Sequence, residues 1–187
     1  PGRDVSTRGR DVSGSFGDGA GAVVLGASDE ENVGILQTTG GADGKYAKEL
    51  WVELPNSRHD PRLWPEAMDE GRHYPRMNGR EVFKHASRKL PAMVVEVLKE
   101  EGLTVRDLDL LIPHQANLRI SEMVQKALEL PDDKVYNNIQ KYGNTTAASI
   151  PIALDECVRS GKLKRGDLLG VCAFGAGFTW GGGLVRF

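Results

Sequence analysis

The sequence lacks any long apolar run, and none of its runs approaches the roughly 18 residues that a membrane span requires. No signal peptide opens it either. Cysteine is scarce. Cys157 and Cys172 are the two cysteines of the sequence, and two are too few for a disulfide framework. These absences predict a protein of a reducing intracellular compartment, which we expect to be the cytoplasm, with no membrane partner.

A strong imbalance of charge is also lacking. The 24 Lys and Arg residues are nearly balanced by 26 Asp and Glu residues, which gives a net charge of −2. This balance argues against general nucleic-acid binding, although a local basic patch remains open. No spacing of Cys and His residues indicates a metal site. With 187 residues, 40% of them apolar, the chain is long enough for one domain with a sizeable core.

The apolar periodicity predicts an α/β arrangement in the order strand, strand, helix, strand, helix, helix, strand, strand. After a polar lead-in loop over residues 1–15, strands are predicted at 15–26, 33–39, 108–112, 167–174 and 179–187. The first helix is predicted from 79 to about 101, kinked or divided by Pro91. The second helix follows residue 117 with an inward face of Ile120, Met123, Val124, Ala127 and Leu128. The third covers about 147–158, with Ala147, Ile150, Leu154 and Val158 inward.

Two polar turns hold the strongest candidates for chemistry. His114 lies between a predicted strand and a helix, where α/β sheets place their functional groups. Asn144 stands in a similar turn at the entrance of the third helix. A lone histidine in such a place is more often a packed or surface residue, so the prediction depends on the pair. If both face one pocket, they can donate two hydrogen bonds to one oxygen, each stabilising a developing negative charge by ~3 kcal/mol or more.

A nucleophile is missing from this candidate site. Cys157 falls on a predicted amphipathic helix and Cys172 within an apolar strand, and both fit buried packing positions. The glycine-rich stretch 17–26 runs into a strand without a following amphipathic helix, so it lacks the context of a nucleotide-binding loop. The small loop 174–178 between the last two strands predicts a hairpin whose backbone N–H groups can point at a ligand.

Two surface features have either a binding role or no function beyond an ordinary solvent-exposed surface. Arg80, Lys84 and Arg88 form a basic row on one helix face, and Arg119 opens the helix after His114. This pattern is typical of a solvated face, but it also suits a phosphate or an acidic partner. The long irregular segment 40–78 holds Trp51 and Trp64 and is either a pocket rim, a partner surface or a variable insertion.

Three motifs in this order resemble the β-ketoacyl-[acyl-carrier-protein] synthase III family, condensing enzymes of the thiolase superfamily that start fatty-acid synthesis. They are Pro-His-Gln-Ala-Asn-Leu-Arg at 113–119, Gly-Asn-Thr-Thr-Ala-Ala-Ser-Ile-Pro at 143–151 and Phe-Gly-Ala-Gly-Phe-Thr-Trp-Gly at 174–181. The stretches 17–22 and 77–84 are similar to the same family. The resemblance covers nearly the whole chain, and only residues 43–76 exceed the family's usual connection.

The resemblance implies a fold and an extent. The family fold is a five-layer αβαβα arrangement of two similar halves, and residues 1–187 resemble the C-terminal half, one αβ half with a mixed five-stranded sheet and an irregular insertion at about 43–76. The chain opens on proline instead of methionine, which is typical of a fragment or a processed product. The family's N-terminal half, with its catalytic cysteine, would then come from another chain or a missing segment.

The resemblance also implies a reaction, the decarboxylative Claisen condensation of an acyl-CoA primer with malonyl-acyl carrier protein, without cofactor or metal. In the family's Cys-His-Asn triad, His114 and Asn144 match the second and third members, so this chain alone is expected to be inactive. The backbone N–H of Ala176 would match the second oxyanion hole, although the family usually has glycine there. The remaining implied contacts are those to CoA and pantetheine, from Asn78, Gly79, Arg80, Phe83 and Ala116, and those to the acidic carrier protein, from Lys84 and Arg119.

Three readings follow from this resemblance. In the first, the chain is half of an active, homodimeric condensing enzyme. In the second, it is a non-catalytic partner subunit that keeps the pocket without the nucleophile. In the third, it belongs to a related acyltransferase or a polyketide starter enzyme. Arg80 stands where the family often has asparagine, which places that contact in question.

Overall fold

The computed structural model describes residues 15–187, so the predicted lead-in loop lies outside it except for Ser15. A mixed four-stranded sheet with the order β1-β6-β5-β4 forms the centre of the molecule. Its strands are β1 (Gly34–Ala42), β4 (Leu110–Pro113), β5 (Leu168–Gly175) and β6 (Thr179–Arg186). β4 runs parallel to β5, and the other neighbours are antiparallel. Four of the predicted strands are therefore confirmed.

Helices cover both faces of this sheet. The helices are α1 (Pro65–Asp69), α2 (Gly79–Glu100), α3 (Leu118–Ala127), α4 (Ile139–Tyr142) and α5 (Ser149–Arg159). Alternate residues of β4 point to opposite faces, so Leu111 joins the core under α2 and α3, whereas Leu110 and Ile112 join the core under α5. This αβα layering confirms the expected half of a thiolase-like fold.

The predicted strand at 15–26 is wrong for the described structure, and the expected fifth strand is absent from residues 15–187. Phe16 forms an isolated parallel bridge with Asn144 outside the sheet, and residues 17–29 form no further strand pairing. Val23, Val24 and Leu25 are 57%, 98% and 73% exposed. A strand needs a neighbour for its N–H and C=O groups, and within residues 15–187 no strand lies beside this segment.

The helix predictions need corrections in α3 and α5, and one of the two alternatives for α2 is excluded. α2 is one continuous helix with Pro91 inside it, so it is not divided. On α3 Met123 is exposed, and Ala127 is exposed too. On α5 the buried row is Ser149, Ala153 and Cys157, whereas Ala147 and Val158 are exposed. The small side chains at i, i+4 and i+8 lie on one face of α5 and let this face approach the sheet closely. Larger apolar side chains at these positions would hold the helix farther from the sheet.

The segment 43–76 is folded, not irregular throughout. It contains a 3₁₀ turn (Gly44–Tyr46), the two-stranded ribbon of β2 (Leu50–Trp51) and β3 (Arg76–Met77), and α1. Leu54 is fully buried, and Arg72 forms a 2.6 Å ion pair with Glu53 while its guanidinium lies 5.3 Å from the Trp64 ring. Leu54 and its neighbours form a small centre within the segment, whereas Tyr46 and Leu50 pack against the main core.

Within residues 15–187 no helix has the length and apolar character needed to cross a membrane. The same residues contain no cluster of three or more His, Cys, Asp or Glu side chains suited to a metal ion.

Candidate active site

His114 is placed by the carboxyl end of β4. Its backbone N–H donates to the Cys172 carbonyl at 2.7 Å, which continues the parallel pairing of β4 with β5 by one residue. Its side chain reaches the first residue of α5, where Nδ1 lies 2.6 Å from Ser149 Oγ. Burial lowers the pKa of His114, so the imidazole is neutral at pH 7. The ring is fixed through Nδ1, and Nε2 is the nitrogen left for a ligand.

The next residue, Gln115, is buried and fixes a neighbouring loop. Its Nε2 donates to the carbonyls of Pro113 and Tyr136, and its Oε1 accepts from the N–H groups of Asn138 and Ile139. Both polar atoms of the amide are thereby satisfied inside the protein. The residue after His114 thus braces the loop that leads to Asn144.

Asn144 is half-buried and is held from two sides. Its Oδ1 accepts from the Thr146 N–H at 2.9 Å, which leaves Nδ2 as the group that can donate to a ligand. Its backbone N–H donates to the Ser15 carbonyl, and its carbonyl accepts from the Gly17 N–H. A Cβ at position 17 would lie 1.8 Å from the Tyr142 carbonyl oxygen, so only glycine permits this approach.

A single carboxylate on α5, Glu156, holds the loop before Asn144. It accepts hydrogen bonds from Tyr136, Asn138, Lys141 and Tyr142 at 2.7–3.1 Å. Burial by itself raises the pKa of Glu156, but these four bonds outweigh it and lower the pKa to about 2. The same environment raises the pKa of Tyr136 to about 12, mainly through burial. The loop 136–142 is therefore tied to the helix that begins with Ser149.

These contacts relate the two candidates to each other. His114 and Asn144 have separate anchors, but the 3₁₀ turn Thr146–Ala148 leads from Asn144 directly to Ser149, the partner of His114. The structure thus brings the carboxyl end of β4 and the entrance of α5 together. The convergence of both side chains on one ligand oxygen remains a prediction.

Ala176 lies at the same edge of the sheet, in the exposed turn between β5 and β6. Its carbonyl accepts from Thr179 Oγ1 at 2.8 Å, and the role of its N–H as a donor to a ligand remains a prediction. Because β4 and β5 are parallel, their carboxyl ends bring His114 and this turn to one side of the molecule.

The residues expected to bind CoA and carrier protein lie around the start of α2. Asn78 caps this helix by accepting from the Glu81 N–H, Gly79 and Arg80 form its exposed first turn, and Lys84 pairs with Glu81 at 3.2 Å. A cleft of about 440 Å³ between α2 and α3 joins Phe83 with Arg119, together with Glu122, Met123 and Lys126. Ala116 donates its N–H to the His114 carbonyl, beside the N-terminus of α3. One cleft is therefore lined by Phe83, a predicted pantetheine contact, and by Arg119, a predicted carrier-protein contact.

Both cysteines are buried packing residues, as predicted. Burial raises the pKa of the Cys157 thiol to about 11 and that of the Cys172 thiol to about 12. A thiol with such a pKa is almost entirely protonated at pH 7 and is a poor nucleophile. The chain's own cysteines therefore do not complete a triad.

Comparison with known proteins places these observations in a family. Residues 98–187 match the family model described as 3-oxoacyl-[acyl-carrier-protein] synthase III C terminal, and residues 3–44 match the model described as 3-oxoacyl-[acyl-carrier-protein] synthase III. The β-ketoacyl-[acyl-carrier-protein] synthase III of Roseiflexus castenholzii is 48% identical over 172 residues, which are 92% of this chain and 51% of that protein. The chain belongs to the β-ketoacyl-[acyl-carrier-protein] synthase III family.

Solved structures support the membership in this synthase III family. The 3-oxoacyl-(acyl carrier protein) synthase III of Pseudomonas aeruginosa superposes with a TM-score of 0.83 at 39% identity, covering 95% of this chain and 52% of that one. A priming β-ketosynthase from a polyketide biosynthetic pathway gives 0.81 at 35% identity, covering 97% and 53%. The chain spans about half the length of the curated relatives it matches.

Sequence reasoning missed three residues of this site. Ser149 lies inside a quoted motif, but nothing in its spacing links it to His114, which is 35 positions away. Tyr136 and Glu156 carry no local signal at all, because their partners meet only through the packing of α5 on the loop. Gln115 is part of the first motif, and its four hydrogen bonds explain why an amide is suited to that position.

Proposed function

We propose that this chain supplies the histidine and asparagine of a condensing enzyme that starts fatty-acid synthesis. The reaction is the decarboxylative Claisen condensation of an acyl-CoA primer with malonyl-acyl carrier protein. The observation that carries the proposal is the neutral, half-buried imidazole of His114, held through Nδ1 at the carboxyl edge of the sheet next to the segment of Asn144. A neutral ring and a carboxamide are donors suited to an enolate oxygen.

In the proposed step, the bond between the malonyl carboxylate and its α-carbon breaks and CO₂ leaves. The electron pair moves into the thioester, whose oxygen gains negative charge. His114 and Asn144 each donate a hydrogen bond to that oxygen. The α-carbon then attacks the carbonyl of the acyl group carried on a cysteine, and that cysteine leaves as thiolate. The Ala176 N–H stabilises the oxygen of this second thioester. No cofactor is required.

The nucleophilic cysteine belongs, in this proposal, to the family's other half, on another chain or a segment not present here. The raised pKa values of Cys157 and Cys172 support a nucleophile from outside this chain. The exposed residues Val23, Val24 and Leu25 support a missing neighbour, since that half would cover them. We infer that the complete enzyme is a homodimer in the cytoplasm and that residues 43–76 are an insertion on one domain.

The substrates approach, we propose, along the start of α2. Lys84 and Arg119 contact the acidic carrier protein, and Asn78, Gly79, Arg80, Phe83 and Ala116 line the path of CoA and pantetheine. The cleft between α2 and α3 supports this, because it combines the Phe83 ring with the cations Arg119 and Lys126. Arg80, Lys84 and Arg88 are exposed along one face of α2 beside it.

The test uses the chain co-purified with the first half of the Roseiflexus castenholzii synthase. We expect this complex to release CO₂ from malonyl-acyl carrier protein, and His114→Ala to reduce the rate roughly 100-fold or more by removing one donor. His59→Ala, on an exposed residue of the 43–76 segment, is the matched control and should keep full activity. Equal rates for the His114 variant and wild type would contradict the proposal.

A second candidate is a polyketide starter enzyme, which the similarity to a priming β-ketosynthase favours. The chemistry at His114 would be the same, so the primer distinguishes the two. Competition among acyl-CoA primers on the complex decides: a preference for acetyl-CoA supports fatty-acid initiation, and a preference for longer or branched primers supports the starter enzyme. A complex that forms but never decarboxylates would favour the non-catalytic subunit.

A further inference from the structure

The hydroxyl of Ser149 has an unusual position in the candidate site. Ser149 is 2% exposed and begins α5, and its Oγ contacts two nitrogen atoms. One is His114 Nδ1 at 2.6 Å, and the other is the Gln115 N–H at 3.3 Å. Buried hydroxyl groups in proteins almost always use their proton in a hydrogen bond.

The two contacts decide the direction of that bond. The Gln115 N–H can only donate, so it occupies a lone pair of Oγ and cannot receive the hydroxyl proton. Among the described contacts of Oγ, His114 Nδ1 is then the acceptor for it. We infer that Ser149 donates to Nδ1 and is a positioning residue that fixes the neutral imidazole as the tautomer with its proton on Nε2.

This tautomer deepens the proposed function, on which its role in turnover rests. With the proton on Nε2, His114 presents a donor to the pocket, which suits an oxygen that gains negative charge. The other tautomer would present a bare Nε2 lone pair, which repels such an oxygen and acts as a base instead. The backbone bond from the Gln115 N–H keeps Oγ in place, and the bond from the His114 N–H to Cys172 keeps the ring at the end of β4.

The test is a nitrogen-15 NMR spectrum of the histidine side chains of the 187-residue chain at pH 8. His114→Gln assigns the resonances by their loss. We expect His114 to show an unprotonated Nδ1 and a protonated Nε2. In Ser149→Ala the Nδ1 resonance should shift toward the protonated position as the second tautomer gains population. Ser149→Thr, which restores a hydroxyl, should return it, and Ser160→Ala, at the far end of α5, should leave it unchanged.

Two results would overturn the inference. A wild-type spectrum that shows the proton on Nδ1 of His114 would do so without any Ser149 variant. An unchanged His114 tautomer in Ser149→Ala would do so as well. Because both measurements need no turnover, they decide the tautomer whether or not the condensing activity is found. In the active complex, Ser149→Ala should lower the decarboxylation rate at least tenfold at unchanged KM, and a rise in KM alone would contradict the positioning role.

Discussion

At the scale of single residues, the environment of His114 sets its chemistry. Burial lowers the pKa of His114 below its ordinary value, so a proton binds this histidine more tightly in the unfolded chain than in the folded one. The neutral form therefore persists in the native state as the pH falls through the range where a free histidine would ionise. A neutral donor at Nε2, not a general base, is the state that this position favours.

Asn144→Asp tests the donor proposed for the second side chain. The aspartate keeps an oxygen for the Thr146 N–H but loses Nδ2 and adds a negative charge beside a developing enolate. In the active complex we expect CO₂ release to fall roughly 10²–10³-fold. Asn32→Asp, in an exposed turn, adds the same charge elsewhere and should keep the rate. Unchanged CO₂ release in the Asn144 variant would remove this residue from the oxyanion hole.

At the scale of secondary-structure elements, α5 organises the site. Its first residue contacts His114, and Glu156, two turns later, binds four side chains of the loop before Asn144. Gln115 holds the same loop from the end of β4. One helix thus determines the positions of both candidate side chains, although it contributes neither of them.

The substitution Glu156→Gln measures how much the Glu156 carboxylate stabilises the loop 136–142, through the pH dependence of the unfolding free energy. The folded pKa is about 2 and the unfolded one is ordinary, so the carboxylate's contribution is present above about pH 4.5 and is lost as the pH falls toward 2. Because the side chain is 21% exposed, we discount the shift and expect a loss on the order of 1–2 kcal/mol in unfolding free energy at pH 7.

Urea unfolding at pH 7 and pH 3 tests this expectation. The difference between wild type and Glu156→Gln should shrink at the lower pH, whereas Glu100→Gln, at the exposed end of α2, should show no comparable loss at either pH. A difference that is the same at both values would mean that the charge of Glu156 does not stabilise the loop.

The exposed face of α2 leads to a prediction about partners. Lys84→Glu reverses an exposed charge on α2, next in sequence to Phe83 of the cleft, where we propose that an acidic carrier protein approaches. We expect the KM for malonyl-acyl carrier protein to rise roughly tenfold, with little change in the KM for a small acyl-CoA. Lys99→Glu, at the other end of the same helix, is the control. Equal effects on both substrates would make Lys84 an ordinary surface residue.

At the scale of the whole molecule, residues 15–187 form one αβα layer set, and the segment before β1 pairs with no strand of it. Residues 17–29 form no strand, and Val24 is 98% exposed. An apolar run of this kind is expected to be covered in the assembled protein. The same half-length match appears in the curated relatives and the solved structures.

Val24→Glu tests the proposed cover. Since the side chain has no contacts to lose in the isolated chain, its unfolding free energy should be unchanged. Association with the first half of the Roseiflexus castenholzii synthase should weaken at least roughly 100-fold, because a buried, unpaired carboxylate costs several kcal/mol. Val95→Glu, which is exposed on α2, is the control, and binding by analytical ultracentrifugation is the measurement. Equal binding of both variants would place the interface elsewhere.

The sequence by itself determined the elements whose signals are local. The apolar stripe of Leu90, Val94, Val97 and Leu98 predicted α2. Short apolar runs predicted four strands. Both signals are local, because the buried face of a helix or strand requires apolar residues at a regular spacing along the sequence. The residues that fix His114 and the loop before Asn144 were decided only in three dimensions. Ser149 and Glu156 act on partners many positions away, which no local pattern records. The segment 15–26 shows the same limit from the other side, because a strand-like sequence becomes a strand only where another strand satisfies its backbone.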